Sequence, residues 1–112
     1  MLPKENRLTK ENDFDAVFKN GKSARLAIIS GKSSANSLGR PRFGFVVSKK
    51  ISTKAALRNK VKRRLRDAVA KNVPQIKKGG DVVIIALPGI EKKGFFEIEK
   101  EVGVLFKKLG IN

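Results

Sequence analysis

Residues 53–73 read T-K-A-A-L-R-N-K-V-K-R-R-L-R-D-A-V-A-K-N-V, a run with neither Gly nor Pro before Pro74. On a wheel of roughly 100° per residue, Leu57, Val61, Leu65, Ala68 and Val69 fall within about 120° of one another. The spacing predicts a long helix over 53–73 whose apolar face is made of small and medium side chains, suited to lying on a sheet. Downstream, past a Lys77-Lys78-Gly79-Gly80 turn, residues 81–87 read D-V-V-I-I-A-L. A continuous β-branched run of that length predicts a strand buried on both faces, and Pro88-Gly89 ends it. The helix and the strand together call for a layered α+β domain.

Working outward, Phe95, Ile98, Val102, Leu105 and Leu109 share one helical face, with Glu97, Glu99 and Glu101 early and Lys107 and Lys108 late, as the helix dipole favours. This is a closing helix that covers the sheet. Upstream, 43–48 alternates Phe43, Phe45 and Val47 with Gly44, Val46 and Ser48, and 26–30 (L-A-I-I-S) is apolar and too short for a helix. These are expected to be antiparallel partners, joined by a loop over 32–41 that is rich in Ser, Asn and Gly. Phe14, Val17 and Phe18 have i, i+3, i+4 spacing, which predicts a first helix over 9–21 with Thr9 as N-cap and Gly21 as its stop. The expected order is α-β-β-α-β-α, with room for one more short strand inside 33–42. Residues 1–112 are expected to form a single domain, a two-layer sandwich on a sheet of about four strands, with 1–6 as a flexible lead-in.

Composition bounds the chemistry. The 112 residues carry 26 Lys and Arg against 10 Asp and Glu, a formal charge of +16, with no His, Cys, Trp or Tyr. Without Cys and His, thiolate and imidazole metal sites are excluded, and side-chain catalysis is confined to carboxylates, lysines and hydroxyls. So high a charge on so small a surface repels itself unless a polyanion neutralises it. No run reaches the ~18 apolar residues of a membrane span and 1–10 has no signal-like apolar stretch, so the expected location is cytoplasmic.

The charge is concentrated. From Ser48 to Arg66 stand Lys49, Lys50, Lys54, Arg58, Lys60, Lys62, Arg63, Arg64 and Arg66, with no acidic residue. With Leu57 at zero, Arg58, Lys62, Arg66, Asn59 and Arg63 fall at roughly 100, 140, 180, 200 and 240°, one broad stripe beside the apolar face. Like charges at i, i+4 cost a few tenths of a kcal/mol per pair unless something neutralises them. A merely solvated face normally mixes signs, and a membrane-surface helix needs a free face of large apolar residues. Arg forks, Lys point charges and an Asn that both donates and accepts suit an RNA backbone with its 2′-OH groups. A ribosomal protein or basic assembly factor fits the same observations. A DNA-reading helix fits less well, since no short helix and tight turn precede it. Asp13, Asp15, Asp67 and Asp81 are scattered over different elements, as a self-contained Mg²⁺ nuclease would not have them. Gly79-Gly80 lacks the Gly-Lys-Ser/Thr of a phosphate loop and reads as a turn. Phe43, Phe45, Phe95, Phe96 and Phe106 read as packing residues.

The run Arg58-Asn59-Lys60-Val61-Lys62-Arg63-Arg64-Leu65-Arg66 resembles the R-N-R-x-K-R-x-x-R signature of the bacterial ribonuclease P proteins, preceded as in that family by a strand ending Ser48-Lys49-Lys50. Arg7-Leu8 followed by Asp13-Phe14-Asp15-Ala16-Val17-Phe18-Lys19-Asn20-Gly21 is similar to the family's opening. The resemblance implies a small α/β sandwich in which a left-handed crossover through the central helix joins parallel strands, against the usual right-handed rule. It also implies a non-catalytic subunit of the endoribonuclease that removes 5′ leaders from precursor tRNA, inert alone, with the Mg²⁺ held mainly by the catalytic RNA. Its partners would be that RNA and precursor tRNA, with no membrane, DNA or small-molecule substrate. Carried over by position, Lys49, Lys50, Arg58, Asn59, Lys60, Lys62, Arg63 and Arg66 would contact the ribonuclease P RNA, and Phe14 and Phe18 would line a cleft for the single-stranded leader. Spacing alone reads those two Phe as core, and the resemblance sets the cleft reading level with it. Lys60 stands where the family usually has Arg, which leaves a charge contact there in place of a bidentate one. No aromatic lies in 26–30, and Ile28 or Ile29 is the aliphatic candidate for the cleft.

Overall fold

The computed structural model describes residues 2–36, 38–76 and 79–111. A 3-10 turn at Lys4–Asn6 leads to α1 (Glu11–Asn20), β1 (Lys22–Arg25), β2 (Ile29–Ser34), β3 (Pro41–Val46), α2 (Ala55–Asn72), β4 (Gly80–Ala86) and α3 (Phe95–Leu109). The sheet has four strands in the order β1-β2-β4-β3. β1 pairs antiparallel with β2, β2 antiparallel with β4, and β4 parallel with β3. The parallel pair is joined through α2, as a crossover requires.

The interior β4 is buried on both faces along almost its whole length, as its β-branched run demands. One face, with Val82, Ile84 and Ala86, joins Ile29, Phe43 and Phe45 in a core closed by Val61, Leu65, Ala68 and Val69 of α2 and Ile98, Val102, Leu105, Phe106 and Leu109 of α3. Phe43 and Phe106 stack with ring centroids 5.5 Å apart, tying β3 to α3. On the opposite face Val83 meets only a small cluster with Leu8 and Val17, flanked by Phe14, Val46 and Ile85. Thus α2 and α3 form a full layer on the sheet, while the short α1 covers part of the other side.

Several expectations are corrected. Of residues 26–30, expected as the first strand, only Ile29 and Ser30 are extended, at the start of β2. Leu26 donates to the Ile29 carbonyl at 2.8 Å across the turn between β1 and β2. Leu26 and Ile28 are apolar because they tuck against the core, not because their backbone is in a strand. The additional strand is β1, ahead of that turn, not inside 33–42, and β2 runs on to Ser34 through part of the expected loop. Gly31 is needed in β2, because a Cβ there would lie 2.9 Å from a Leu105 methyl. β3 does not pair with β2: β4 inserts between them, antiparallel to β2 and parallel to β3. Lys10, not Thr9, stands at the α1 N-cap, and no side chain caps the helix.

The lead-in over 1–6 is not loose from Leu2 onward. Leu2 is fully buried, Asn6 donates through Nδ2 to the Pro41 carbonyl at 2.7 Å, and the Leu8 N–H reaches the Phe43 carbonyl at 2.7 Å. The segment therefore covers the outer edge of β3, where Pro41 has no N–H to offer. Phe96, expected to pack, is 83% exposed. Of the expected turn before β4, Lys77 and Lys78 lie outside the described residues, as do Met1, Ser37 and Asn112.

Candidate nucleic-acid interface

The basic stripe and the first-helix aromatics meet around the edge of β3. Arg7, held by a hydrogen bond from its Nε to the buried Leu2 carbonyl at 3.0 Å, stands between two adjoining hollows. The first, of about 240 Å³, is lined by Arg7, Leu8, Thr9, Phe14, Phe43, Phe45, Lys62 and Arg66. The second, of about 370 Å³, is lined by Arg7, Asn59, Lys62, Arg63, Arg66 and Asp67. Arg7, Lys62 and Arg66 belong to both, so the two form one groove between α2 and the β3 edge. Past Phe43 the covering segment turns away into α1, and Thr9 and Phe45 line the groove there.

The groove holds the cations Arg7, Lys62, Arg63 and Arg66 against the single carboxylate Asp67. Among the described residues the ion pairs are Arg42 with Asp13 and Asp81, and Lys93 with Glu97, none of which involves the stripe. Four cations collected around one carboxylate leave the groove with an excess of positive charge that favours anions. Helical spacing brings Asn59, Lys62, Arg63 and Arg66 together, because α2 buries Val61, Leu65, Ala68 and Val69 and must turn the adjacent stripe outward.

The other stripe candidates part from this group. Arg58 donates from Nη1 to the Ser52 carbonyl at 2.9 Å, bracing the turn that precedes α2. Lys60 is exposed outside the groove, and Lys49 and Lys50 are exposed on the turn after β3. Arg64, which lies outside the stripe, donates to the Lys93 carbonyl at 3.1 Å, bonding α2 to the approach to α3.

Phe14 is half-buried over Gly44, where a Cβ would come within 2.3 Å of the ring. A glycine in β3 thus makes the seat for this aromatic. Phe18, 38% exposed, has the Lys32 ammonium 5.7 Å from its ring centroid. Side chains of β2 that alternate toward α1 are Ser30, Lys32 and Ser34, a polar floor. Ile28 is not among them: it is buried in the α2/α3 core, with its N–H directed to Glu101 Oε1 at 3.4 Å.

A charged clamp fixes α1 over the sheet. Arg42 of β3 makes two hydrogen bonds to Asp81, at 2.8 and 2.7 Å, and reaches Asp13 of α1 at 3.4 Å. Asn36 donates to the same Asp81 carboxylate at 2.9 Å. Burial raises the Asp81 pKa, but the hydrogen bonds from Arg42 and Asn36 and the Arg42 charge outweigh it and hold the group below the usual Asp range. The Asp81 hydrogen bond is also the main cause holding Arg42 above its ordinary value. Asp13 and Asp81 are thereby committed to structure.

Arg7, Thr9 and Phe45 had not been singled out as site residues. The Arg7-Leu8 pair in the opening motif was the available signal for the first; only edge pairing of 7–8 with β3 brings the other two into the groove.

Comparison with known proteins agrees with this fold. The family model described as Ribonuclease P matches residues 2–110. The ribonuclease P protein component of Syntrophomonas wolfei is 38% identical over 99% of this chain and 92% of its own length. That of Synechocystis is 40% identical over 98% and 90%. Among solved structures, the RNase P protein from Thermotoga maritima superposes with a TM-score of 0.82 at 31% identity, covering 91% of this chain and 96% of that one. With the signature stripe on α2, the aromatic pair on α1 and a family match spanning nearly the whole sequence, the chain belongs to the ribonuclease P protein family.

Proposed function

We propose that this chain, as the non-catalytic protein component of the tRNA 5′-processing endoribonuclease, holds the catalytic RNA on the α2 groove and the 5′ leader of precursor tRNA in the cleft between α1 and the sheet. The observation that carries the reading is the clustering of Arg7, Lys62, Arg63 and Arg66 in one groove that runs onto Phe14. Arg63 and Arg66 supply forked contacts to phosphates and Lys62 a point charge; Asn59 is placed to pair with a 2′-OH. Lys49, Lys50, Arg58 and Lys60 extend the positive surface beside it. Phe14 and Phe18 offer ring faces that stack on a base of any identity, as an enzyme acting on many leaders requires.

Among the described residues no group of three or more acidic side chains is placed to hold a metal ion. We assign the Mg²⁺ that activates water mainly to the RNA, and the protein's part to neutralising phosphates near the cut, which lowers the cation concentration needed for RNA and leader to approach. No helix among the described residues is long and apolar enough to cross a membrane; the place of work we assign is the cytoplasm.

The leader assignment is tested by the affinity of the assembled holoenzyme for precursor tRNA relative to mature tRNA. Phe14→Ala is expected to shrink that ratio about fivefold or more, the worth of one stacked base, while assembly with the RNA subunit stays intact. An unchanged ratio would remove Phe14 from the leader site.

A further inference from the structure

Phe96 is the most exposed large apolar side chain of the described surface, at 83%, and it lies in neither the groove nor the cleft. It stands at the start of α3, edge-on to Phe95 with centroids 6.0 Å apart and ring planes at 75°. Phe95 is half-buried and has the Lys71 ammonium 5.6 Å from its centroid. The pair is thus anchored on one ring and open on the other.

Its position relative to the basic groove is what gives it meaning. Asp67, at the end of that groove, also lines the next hollow along α2, with Ala70, Lys71 and Phe95. Lys71 in turn lines the hollow that contains Phe96, Glu99, Lys100 and Gly103. A chain of hollows therefore follows α2 from Asn59 to Lys71, roughly 18 Å at about 1.5 Å per residue. That is the span of a few nucleotides of extended single strand.

We propose that Phe96 is a stacking platform for an unpaired base of the RNA held on the α2 groove. The inference rests on the RNA-subunit reading of that groove. Around the ring Lys71 and Lys100 balance Asp67 and Glu99, so the platform contributes ring contact and little net phosphate attraction. Stacking is sequence-tolerant and needs an accessible ring face, which Phe96 has. A second copy of this chain is the poorer occupant, since two bodies each of formal charge +16 repel.

The chain has no Trp or Tyr, so Phe96→Trp creates a fluorophore reporting on this position alone. Titration with a bacterial ribonuclease P RNA is expected to quench its emission in step with binding, while Val104→Trp, on another part of α3, stays unquenched. Phe96→Ala is expected to weaken binding about fivefold or more with the log–log salt slope unchanged, and Phe96→Tyr to restore it. A Phe96→Trp emission that ignores bound RNA, wild-type affinity in Phe96→Ala, or an effect of Phe96→Ala confined to self-association in sedimentation would each overturn the platform. If Arg63→Ala weakens binding and Phe96→Ala does not, this inference alone falls; if the wild type does not bind the RNA, the groove reading falls with it.

Discussion

Arg63→Ala/Arg66→Ala weakens binding to a ribonuclease P RNA by about a hundredfold or more at moderate salt. Both guanidiniums line the α2 groove, and among the described residues neither is engaged by a carboxylate. A hydrogen bond to a charged group contributes about 1.5–3 kcal/mol, so losing two such partners reaches that range. The change also leaves a signature in the salt dependence. If about five stripe side chains engage phosphates, the wild-type log–log slope is roughly −3.5 to −4.5, and removing two makes it shallower by about 1.4–1.8. Folding is untouched, because the helix keeps Val61, Leu65, Ala68 and Val69 in the core, and like-charge repulsion along the stripe is relieved. Filter binding across a salt series, with circular dichroism as the folding control, measures both numbers. A double variant with wild-type affinity and slope would place the RNA elsewhere.

Phe43→Ala acts on stability instead. The ring is 1% exposed, stacked on Phe106, and sits where β3, α2 and α3 close on one another. Truncating a buried Phe costs about 3–5 kcal/mol, transfer and cavity together, out of a total that for a domain of this size is about 5–15 kcal/mol. The expected result is a fall in the thermal midpoint of more than about 10 °C, seen in melts or urea titrations with RNA absent. A loss below about 1 kcal/mol would mean that β3 is not docked on α3 as described. Phe14→Ala should cost much less, since its ring is only half-buried and borders the open groove.

Residues that had to be buried were readable in the sequence. α2, β4 and α3 announce themselves because each packs a continuous apolar face, and periodicity is the trace of burial. β1 and β2 did not. Lys22–Arg25 is an exposed edge strand, and β2 turns Ser30, Lys32 and Ser34 to a polar cleft floor, so neither carries a strand's apolar alternation. The apolar Leu26 and Ile28 then drew the strand into what is a turn, and with it Ile28 into a cleft it does not reach. Pairing order is likewise a property of the whole sheet: nothing in 43–48 records that its partner is β4 and runs parallel. The same holds for Leu2, whose burial follows from residues 7–8 pairing with β3.

The stripe was legible because cations at helical spacing around a buried face have only one direction to point. Sorting within it needed coordinates. Arg58 spends a donor on the Ser52 carbonyl, and Arg7 enters the groove from a segment far away in sequence. From residues alone, a ribosomal or assembly-factor role fitted the same charge and layering; the family match across residues 2–110 decides between them.

The central claim is that the α2 groove lets this protein serve a catalytic RNA in removing tRNA leaders. It is tested most directly by cleaving a 5′-leader precursor tRNA with a bacterial ribonuclease P RNA at low Mg²⁺, comparing no protein, wild type and Arg63→Ala/Arg66→Ala. Strong stimulation by the wild type that collapses in the double variant, with no cleavage by protein alone, is the predicted result. Equal stimulation by both proteins, or none by a folded wild type given a cognate RNA, would contradict the account.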